Sequence, residues 1–167
     1  MSGTVPPSLK SLLLGPPVLT LAVAESLTGG RVQARVTAES GSSAYFLGGV
    51  TAYSLEQKVR LLGVDRAAAR KVNCVSAAVA TQMARGALEL FGADLAVATT
   101  GYAEPSPADG VPLPHAWWAV AWRQGRGRSQ VRHGFIECHG AKRTEVQAIV
   151  AEAALGELVA WLREARG

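Results

Sequence analysis

Three short apolar segments, separated by stretches with helical patterning, constrain the fold of this chain more than any other feature. Residues 18–24 (VLTLAVA), 46–53 and 95–99 (LAVAT) are the length of strands, and their apolar character predicts that they are buried in a sheet. Helices are predicted after them at 31–38, 55–62 and 76–91. Strands that alternate with helices form parallel sheets covered by helices on both faces.

The second half of the chain breaks this alternation. Residues 102–114 are rich in Pro, Gly, Ser and Asp and predict a loop, and strands at 116–122 and 130–137 flank a Gly-Arg-Gly turn that is typical of a hairpin. A last helix is predicted at 142–165. We therefore expect one α/β domain over residues 1–167, a three-layer α/β/α fold with a mixed sheet, in which residues 1–16 form a helical lead-in.

Composition and charge narrow the classes of function. The chain has 167 residues, of which 49% are hydrophobic and 18% charged, as in globular proteins. The net charge of +4 suits an anionic small molecule. Nucleic acid is not an expected partner, because no run of Lys or Arg exceeds two residues and the aromatic residues do not interleave with basic ones.

Several other features are expected to be absent. No apolar run reaches the ~18 residues of a membrane span, and the N-terminal apolar stretch is too short for a signal peptide, so we expect a cytoplasmic protein without membrane contact. Cys74 and Cys138 form no CxxC pattern and are expected to stay reduced. The three histidines lack the spacing of metal ligands, so neither a metal nor a cofactor is predicted.

The turn after the first predicted strand is the first candidate site. Gly29 and Gly30 precede a helix, whose N-terminal backbone N–H groups could bind a phosphate, and Ser26 and Thr28 add hydroxyl groups. The alternative is an ordinary glycine turn before a helix, which is common.

A serine and a lysine form the second candidate. Ser43 could act as a nucleophile if Lys58, with a lowered pKa, removed its proton, and Tyr53 lies between them in sequence. The two residues lie on opposite sides of one predicted strand, so they can meet only if the chain folds back. The alternative is a turn serine and a solvated lysine.

Two further residues lie where ligands often bind. Thr100 follows the third strand, and open α/β sheets bind ligands beyond the carboxyl ends of their strands. Arg143 begins the last helix, where its guanidinium could bind a phosphate or carboxylate through two hydrogen bonds. Alternatively, they are an ordinary strand-end threonine and a surface arginine.

In order and spacing, these segments resemble the CinA C-terminal domain family, the nicotinamide-mononucleotide amidohydrolases. The matching stretches are AESLTGG (24–30), GSSAYFLGGVTAYSLEQKVRLLGV (41–64), VSAAVATQMARGALELFGADLAVATTGYAEP (75–105) and the region of Arg143. The resemblance covers nearly the whole chain from residue 18. It implies a stand-alone form, without the larger N-terminal domain of full-length CinA proteins.

The resemblance implies hydrolysis of the carboxamide of nicotinamide mononucleotide to nicotinic acid mononucleotide and ammonia, a step of NAD salvage, without a metal. By the match, Ser43 would be the nucleophile and Lys58 its general base, with Tyr53 beside them. Residues matching family positions that line the substrate site are Ser26, Thr28, Gly29, Gly30, Thr100 and Arg143.

The match is weaker after Gly101. Leu27 stands where the family usually has cysteine, and Glu104 stands where the family's TGxAGPxG loop has glycine. A catalytically impaired pyridine-nucleotide-binding or scaffold protein, or an amidase for another small amide, is therefore the alternative function.

We also expect a homo-oligomer, because the consecutive Trp117 and Trp118 cannot both face inward from one strand.

Overall fold

Five strands form one mixed sheet in the order β2-β1-β3-β4-β5. The computed structural model describes residues 8–167. β1 pairs in parallel with β2 and β3, whereas β3/β4 and β4/β5 are antiparallel. The strands are β1 (Leu21–Glu25), β2 (Phe46–Thr51), β3 (Leu95–Tyr102), β4 (His115–Arg123) and β5 (Ser129–Glu137).

Within the described residues, six α-helices cover the two faces of this sheet. They are α1 (Leu9–Leu14), α2 (Arg31–Thr37), α3 (Leu55–Leu62), α4 (Arg66–Lys71), α5 (Ala77–Phe91) and α6 (Arg143–Arg166). The predicted α/β/α fold with a mixed sheet is confirmed. Helix α4 was not predicted from the sequence, and β1 begins three residues later than predicted. The lead-in is helical in α1, while residues 1–7 of the proposed segment lie outside the described part of the chain.

The two faces of the sheet carry side chains of different size. In the central strands, Leu21, Val23, Leu95 and Val97 point toward α1, α2 and α6, and larger apolar residues fill that layer. The residues that alternate with them are alanines, which face α3, α4 and α5 (Ala22, Ala24, Ala96, Ala98). Since side chains alternate between the faces of a strand, a large–small alternation in sequence gives one bulky face and one on which a helix can pack closely.

The small side chains bring α5 close to its neighbours. A methyl group on Gly86 would lie 2.1 Å from the carbonyl oxygen of Leu62, at the end of α3. Such a contact requires the backbones of two helices to separate, and overpacking of this kind costs stability.

Replacing Gly86 with alanine is therefore expected to lower the free energy of unfolding by about 3 kcal/mol. The matched control is Gly156 in α6, where an added methyl group meets nothing within 4 Å. There the same substitution should raise stability by about 0.5–1 kcal/mol, because alanine favours helix. Urea denaturation of both variants checks this, and a change in the same direction would contradict the packing argument.

The consecutive tryptophans of β4 face opposite helical layers of the same chain. Trp118 packs against the cluster under α6, and Trp117 against the cluster under α5, where its ring centroid lies 5.1 Å from that of Phe135. Each is partly exposed. Covering helices therefore account for both orientations, and the expected homo-oligomer stays a prediction.

Within residues 8–167, none of the helices is both long and apolar enough to span a membrane.

Candidate functional site

Three of the predicted site residues converge at the carboxyl ends of the parallel strands. Ser26 directly follows β1, Lys58 lies in α3 after β2, and Thr100 lies near the end of β3. Because β1, β2 and β3 run in the same direction, their carboxyl ends meet at one edge of the sheet. Here the three residues, together with the predicted Tyr53, line a cavity of about 330 Å³, called the inner chamber below.

Lys58 is buried, with only 2% of its surface exposed, and its amine is held by three oxygen atoms. Lys58 Nζ lies 2.8 Å from the carbonyl oxygen of Ala52, 3.2 Å from that of Tyr53, and 2.9 Å from Ser26 Oγ. A neutral amine has two N–H donors and one lone pair. The charged ammonium donates to all three oxygens, whereas in the neutral amine the two carbonyls accept both N–H groups and the lone pair accepts the hydroxyl hydrogen of Ser26.

Burial of the side chain favours the neutral form of Lys58. Removal of Lys58 from water lowers the pKa of its ammonium group from the ordinary value of 10.5, while the nearby Cys74 acts in the opposite direction. Desolvation disfavours the charged form of any group, and a lysine with a lowered pKa can accept a proton. Ser26 and Lys58 thus form a hydrogen-bonded pair suited to nucleophilic catalysis.

The predicted pairing of Ser43 with Lys58 is wrong. Ser43 is exposed in a 3-10 turn (Ser42–Ala44) before β2, whereas Lys58 follows the other end of β2. Tyr45, two residues after Ser43, accepts a hydrogen bond through its carbonyl oxygen from the backbone N–H of Leu21 at the start of β1. A six-residue strand separates the two positions by roughly 20 Å. The chain does not fold back, and Ser43 lies at the opposite edge of the sheet.

Tyr53 and Arg143 form the outer part of the site. The Tyr53 carbonyl contacts Lys58, and its hydroxyl accepts a hydrogen bond of 3.0 Å from Arg143 Nη2. Arg143 and Glu104 line a second cavity of about 260 Å³, the outer chamber, which shares Leu27, Tyr53, Gly101 and Tyr102 with the inner chamber. The shared wall makes the two chambers neighbouring parts of one cleft.

Arg143 already has an anionic partner in this structure. Its Nη1 donates a hydrogen bond of 2.7 Å to Glu104 Oε1. Both side chains are about half exposed, at 45% and 60%. The guanidinium faces the cleft as the sequence analysis expected, but a carboxylate of the same chain occupies the position proposed for a phosphate.

The proposed phosphate site at the start of α2 is not formed. The carboxylate of Glu25, which is fully buried, accepts hydrogen bonds from the backbone N–H groups of Gly30 (3.0 Å), Val32 (3.1 Å) and Gln33 (2.9 Å). An internal carboxylate thus satisfies the N–H groups that a phosphate would need. Gly29 and Gly30 provide left-handed backbone, with φ of 58° and 99°, for the turn.

Thr28 and Thr100 use their hydroxyl groups inside the fold. The Thr28 hydroxyl lies 2.7 Å from that of Thr99, and both residues are fully buried. Thr100 Oγ1 donates a hydrogen bond of 2.7 Å to the carbonyl oxygen of Cys74. Neither Thr28 nor the two glycines line the inner or the outer chamber. Thr100 does line the inner chamber, although its hydroxyl is engaged with the neighbouring backbone.

Two residues that line the inner chamber, Asn73 and Cys74, were not predicted as site residues. Both have positive φ values, of 46° and 62°, and Asn73 Nδ2 donates a hydrogen bond of 2.7 Å to the Tyr102 hydroxyl. Asparagine is common with positive φ just after a helix, so Asn73 carries a weak local signal that depends on recognising α4, whereas Cys74 carries none. Among residues 8–167, no cluster of three or more His, Cys, Asp or Glu side chains could hold a metal ion.

Solved structures share this fold. A competence-damaged protein (CinA) superfamily protein from Klebsiella pneumoniae is 31% identical, with a TM-score of 0.79 over 87% of this chain and 88% of that one. A competence/damage inducible protein from Agrobacterium tumefaciens is 34% identical, with a TM-score of 0.76 over 87% and 86% of the two chains.

Curated relatives and a family model also relate the chain to CinA proteins. A CinA-like protein from Chlorobium limicola is 43% identical over 150 residues, which are 89% of this chain and 35% of that protein. A second, from Salinibacter ruber, is 43% identical over 139 residues, 83% of this chain and 32% of that protein. The chain thus spans about a third of the length of these relatives. The family model of the CinA C-terminal domain matches residues 11–162, and the chain belongs to this family.

Proposed function

We propose that the chain is an amidohydrolase that cleaves a small linear carboxamide, with Ser26 as nucleophile and Lys58 as general base. The hydrogen bond of 2.9 Å between Lys58 Nζ and Ser26 Oγ, at the floor of a cleft, carries the proposal. A serine becomes a useful nucleophile when a neighbouring base can take its proton, and a buried amine with a lowered pKa is such a base. Ser26 takes the role that the sequence analysis gave to Ser43.

The reaction proceeds in two stages. Ser26 Oγ attacks the carboxamide carbon while its proton passes to the Lys58 amine. The resulting tetrahedral intermediate collapses as the ammonium of Lys58 protonates the leaving nitrogen, which departs as ammonia and leaves an acyl ester on Ser26. Lys58 then takes a proton from water, which attacks the ester carbon, and the proton returns to Ser26 Oγ as the carboxylic acid is released.

The cleft suits a substrate with two parts. The inner chamber, next to Ser26, has room for an aromatic carboxamide, and the outer chamber can take a bulkier group attached to it. Ligand cavities in proteins commonly measure about 300–1,000 Å³. Within the CinA C-terminal domain family, nicotinamide nucleotides are the substrate class that the sequence resemblance implies, and the two-part cleft has room for a nicotinamide ring and the sugar attached to it.

Ammonia release from nicotinamide mononucleotide and from nicotinamide riboside tests the proposal. Purified protein should release ammonia from at least one of them, and Ser26→Ala should abolish release. Ser43→Ala serves as the control, because Ser43 lies at the far edge of the sheet and its loss should leave turnover within about twofold of the parent. Release that survives Ser26→Ala, or no release from either amide, would refute the proposed function.

A binding protein without turnover is the second candidate function. The ion pair between Arg143 and Glu104 favours it, since a nicotinamide compound that cannot place its phosphate beside Arg143 would bind without the alignment that attack by Ser26 requires. Calorimetric binding of either nicotinamide compound without ammonia release would support this second function over the first.

A further inference from the structure

The outer chamber is acidic, although the chain as a whole is basic with a net charge of +4. Its charged lining residues are Glu104, Asp109 and Arg143. Glu104 pairs with the guanidinium of Arg143 at 2.7 Å, and the Asp109 carboxylate accepts a hydrogen bond of 2.6 Å from Ser106 Oγ, which leaves its charge in place. Two carboxylates against one guanidinium give the chamber wall a net negative charge.

The helix that begins at this chamber also has a carboxylate of its own at its N-terminus. α6 starts at Arg143, and Glu145 Oε2 accepts a hydrogen bond of 2.7 Å from the backbone N–H of Lys142. Helix N-termini and arginines are the groups with which proteins usually bind phosphate. Here Glu104 pairs with the arginine, and Glu145 accepts one backbone N–H at the start of the helix.

We propose that Glu104 is a specificity-determining residue that directs the site toward carboxamides whose far end is uncharged and away from those whose far end carries a phosphate. The inference rests on the proposed amidohydrolase function. A phosphate in the outer chamber either displaces the Glu104 carboxylate from Arg143 or binds to the guanidinium beside it, and in both cases it lies close to two negative charges. A sugar hydroxyl in the same place can accept from Arg143 or donate to Glu104 without breaking their contact.

The effect is moderate because the ion pair is half exposed. Solvent screens exposed charges, so Glu104 weakens the binding of a phosphorylated substrate without excluding it. The preference should appear mainly in KM, since the outer chamber lies away from the Ser26 and Lys58 atoms that react.

The test compares nicotinamide riboside with nicotinamide mononucleotide, which differ only in the phosphate. In the parent protein, kcat/KM should be higher for the riboside. Glu104→Gln keeps the shape of the side chain but removes its charge, and it should shift the ratio of the two kcat/KM values toward the mononucleotide by about tenfold, through KM. The matched control is Glu152→Gln, which removes the charge of another exposed glutamate–arginine pair, with Arg35, between α6 and α2; its ratio should stay at the parent value.

A binding measurement separates this inference from the proposed function. Calorimetry with both compounds in the Ser26→Ala background gives the ratio of their Kd values without turnover, and Glu104→Gln should shift that ratio in the same direction. If neither amide is hydrolysed, the proposed function fails while the ratio of Kd values still decides the role of Glu104. A parent preference for the mononucleotide, a shift below about threefold, an equal shift in Glu152→Gln, or no binding of either compound would overturn the inference.

Discussion

Replacing Lys58 with methionine is expected to reduce turnover by about 10³-fold or more, because Ser26 then has no base to accept its proton. Methionine has nearly the same length and fills the same space, so the loss reports on the amine itself. The control is Lys71→Met, which removes the charge of an exposed lysine at the end of α4 and should leave turnover unchanged. Retention of more than about a tenth of the activity in Lys58→Met would contradict the assigned role.

The same variant should also change how stability depends on pH. Burial lowers the pKa of Lys58 in the folded state below 10.5, the ordinary value that applies in the unfolded chain. At a pH between the folded-state and unfolded-state pKa, the unfolded chain therefore binds more protons at Lys58 than the folded protein does. Stability from Lys58 therefore increases as the pH rises through that window. Denaturation from neutral pH to pH 10 should show the parent gaining stability relative to Lys58→Met, and parent turnover should rise over the same window as the amine loses its proton. Parallel stability curves would show that the folded-state pKa is not lowered.

Replacing Glu25 with alanine is expected to lower the free energy of unfolding by about 3 kcal/mol. The substitution removes one buried carboxylate and leaves three backbone N–H groups at the start of α2 without their acceptor. Glu25→Gln keeps a single acceptor oxygen and turns an NH₂ group toward N–H donors, so an intermediate loss is expected.

Glu145 provides the matched control for Glu25. Its carboxylate also caps a helix, but it is exposed and accepts one backbone N–H, that of Lys142. Glu145→Ala should therefore cost less than about 1 kcal/mol. Urea denaturation of the three variants checks the order, and a loss in Glu145→Ala equal to that in Glu25→Ala would contradict the role of burial.

The fold could be predicted because its signals are local. Alternating large and small apolar residues mark β1 and β3, and the serine caps at Ser54 and Ser76 mark the starts of α3 and α5, where each side chain accepts a backbone N–H. The sequence of α4, RAAARK, lacks an apolar stripe and buries only Ala69, so no periodicity revealed it. Its start depends on the Asp65 cap, which by itself is also typical of a turn.

The site was harder to predict because its chemistry depends on which end of a strand each residue occupies. Parallel pairing of β1 with β2 sends residues before and after β2 to opposite edges of the sheet, which separates Ser43 from Lys58 and brings Ser26 to Lys58. The order of strand, serine, turn and helix around Ser26 already placed its hydroxyl at the carboxyl edge. Strand direction, applied to both serines, would have favoured Ser26.

Side-chain partners explain the remaining errors. A helix N-terminus and an arginine both predict an anion-binding site. Their local sequence does not show whether the bound anion is a ligand or a carboxylate of the same chain. Glu25 lies five residues before Gly30, and Glu104 lies 39 residues before Arg143. Only the folded arrangement brings each carboxylate to the group it satisfies.

The unequal faces of the sheet have a consequence for how this family can diverge. On the face toward α1, α2 and α6, leucine, isoleucine and methionine can replace one another at nearly constant volume, which cores tolerate well. On the face toward α5, the alanines are already almost the smallest residues available, so nearly every replacement adds volume and pushes a helix outward. Homologous chains should therefore vary freely in the identity of their bulky residues on one side, while the other side preserves its small residues. The small residues keep the distance between α5 and the two strands that position Ser26 and Thr100.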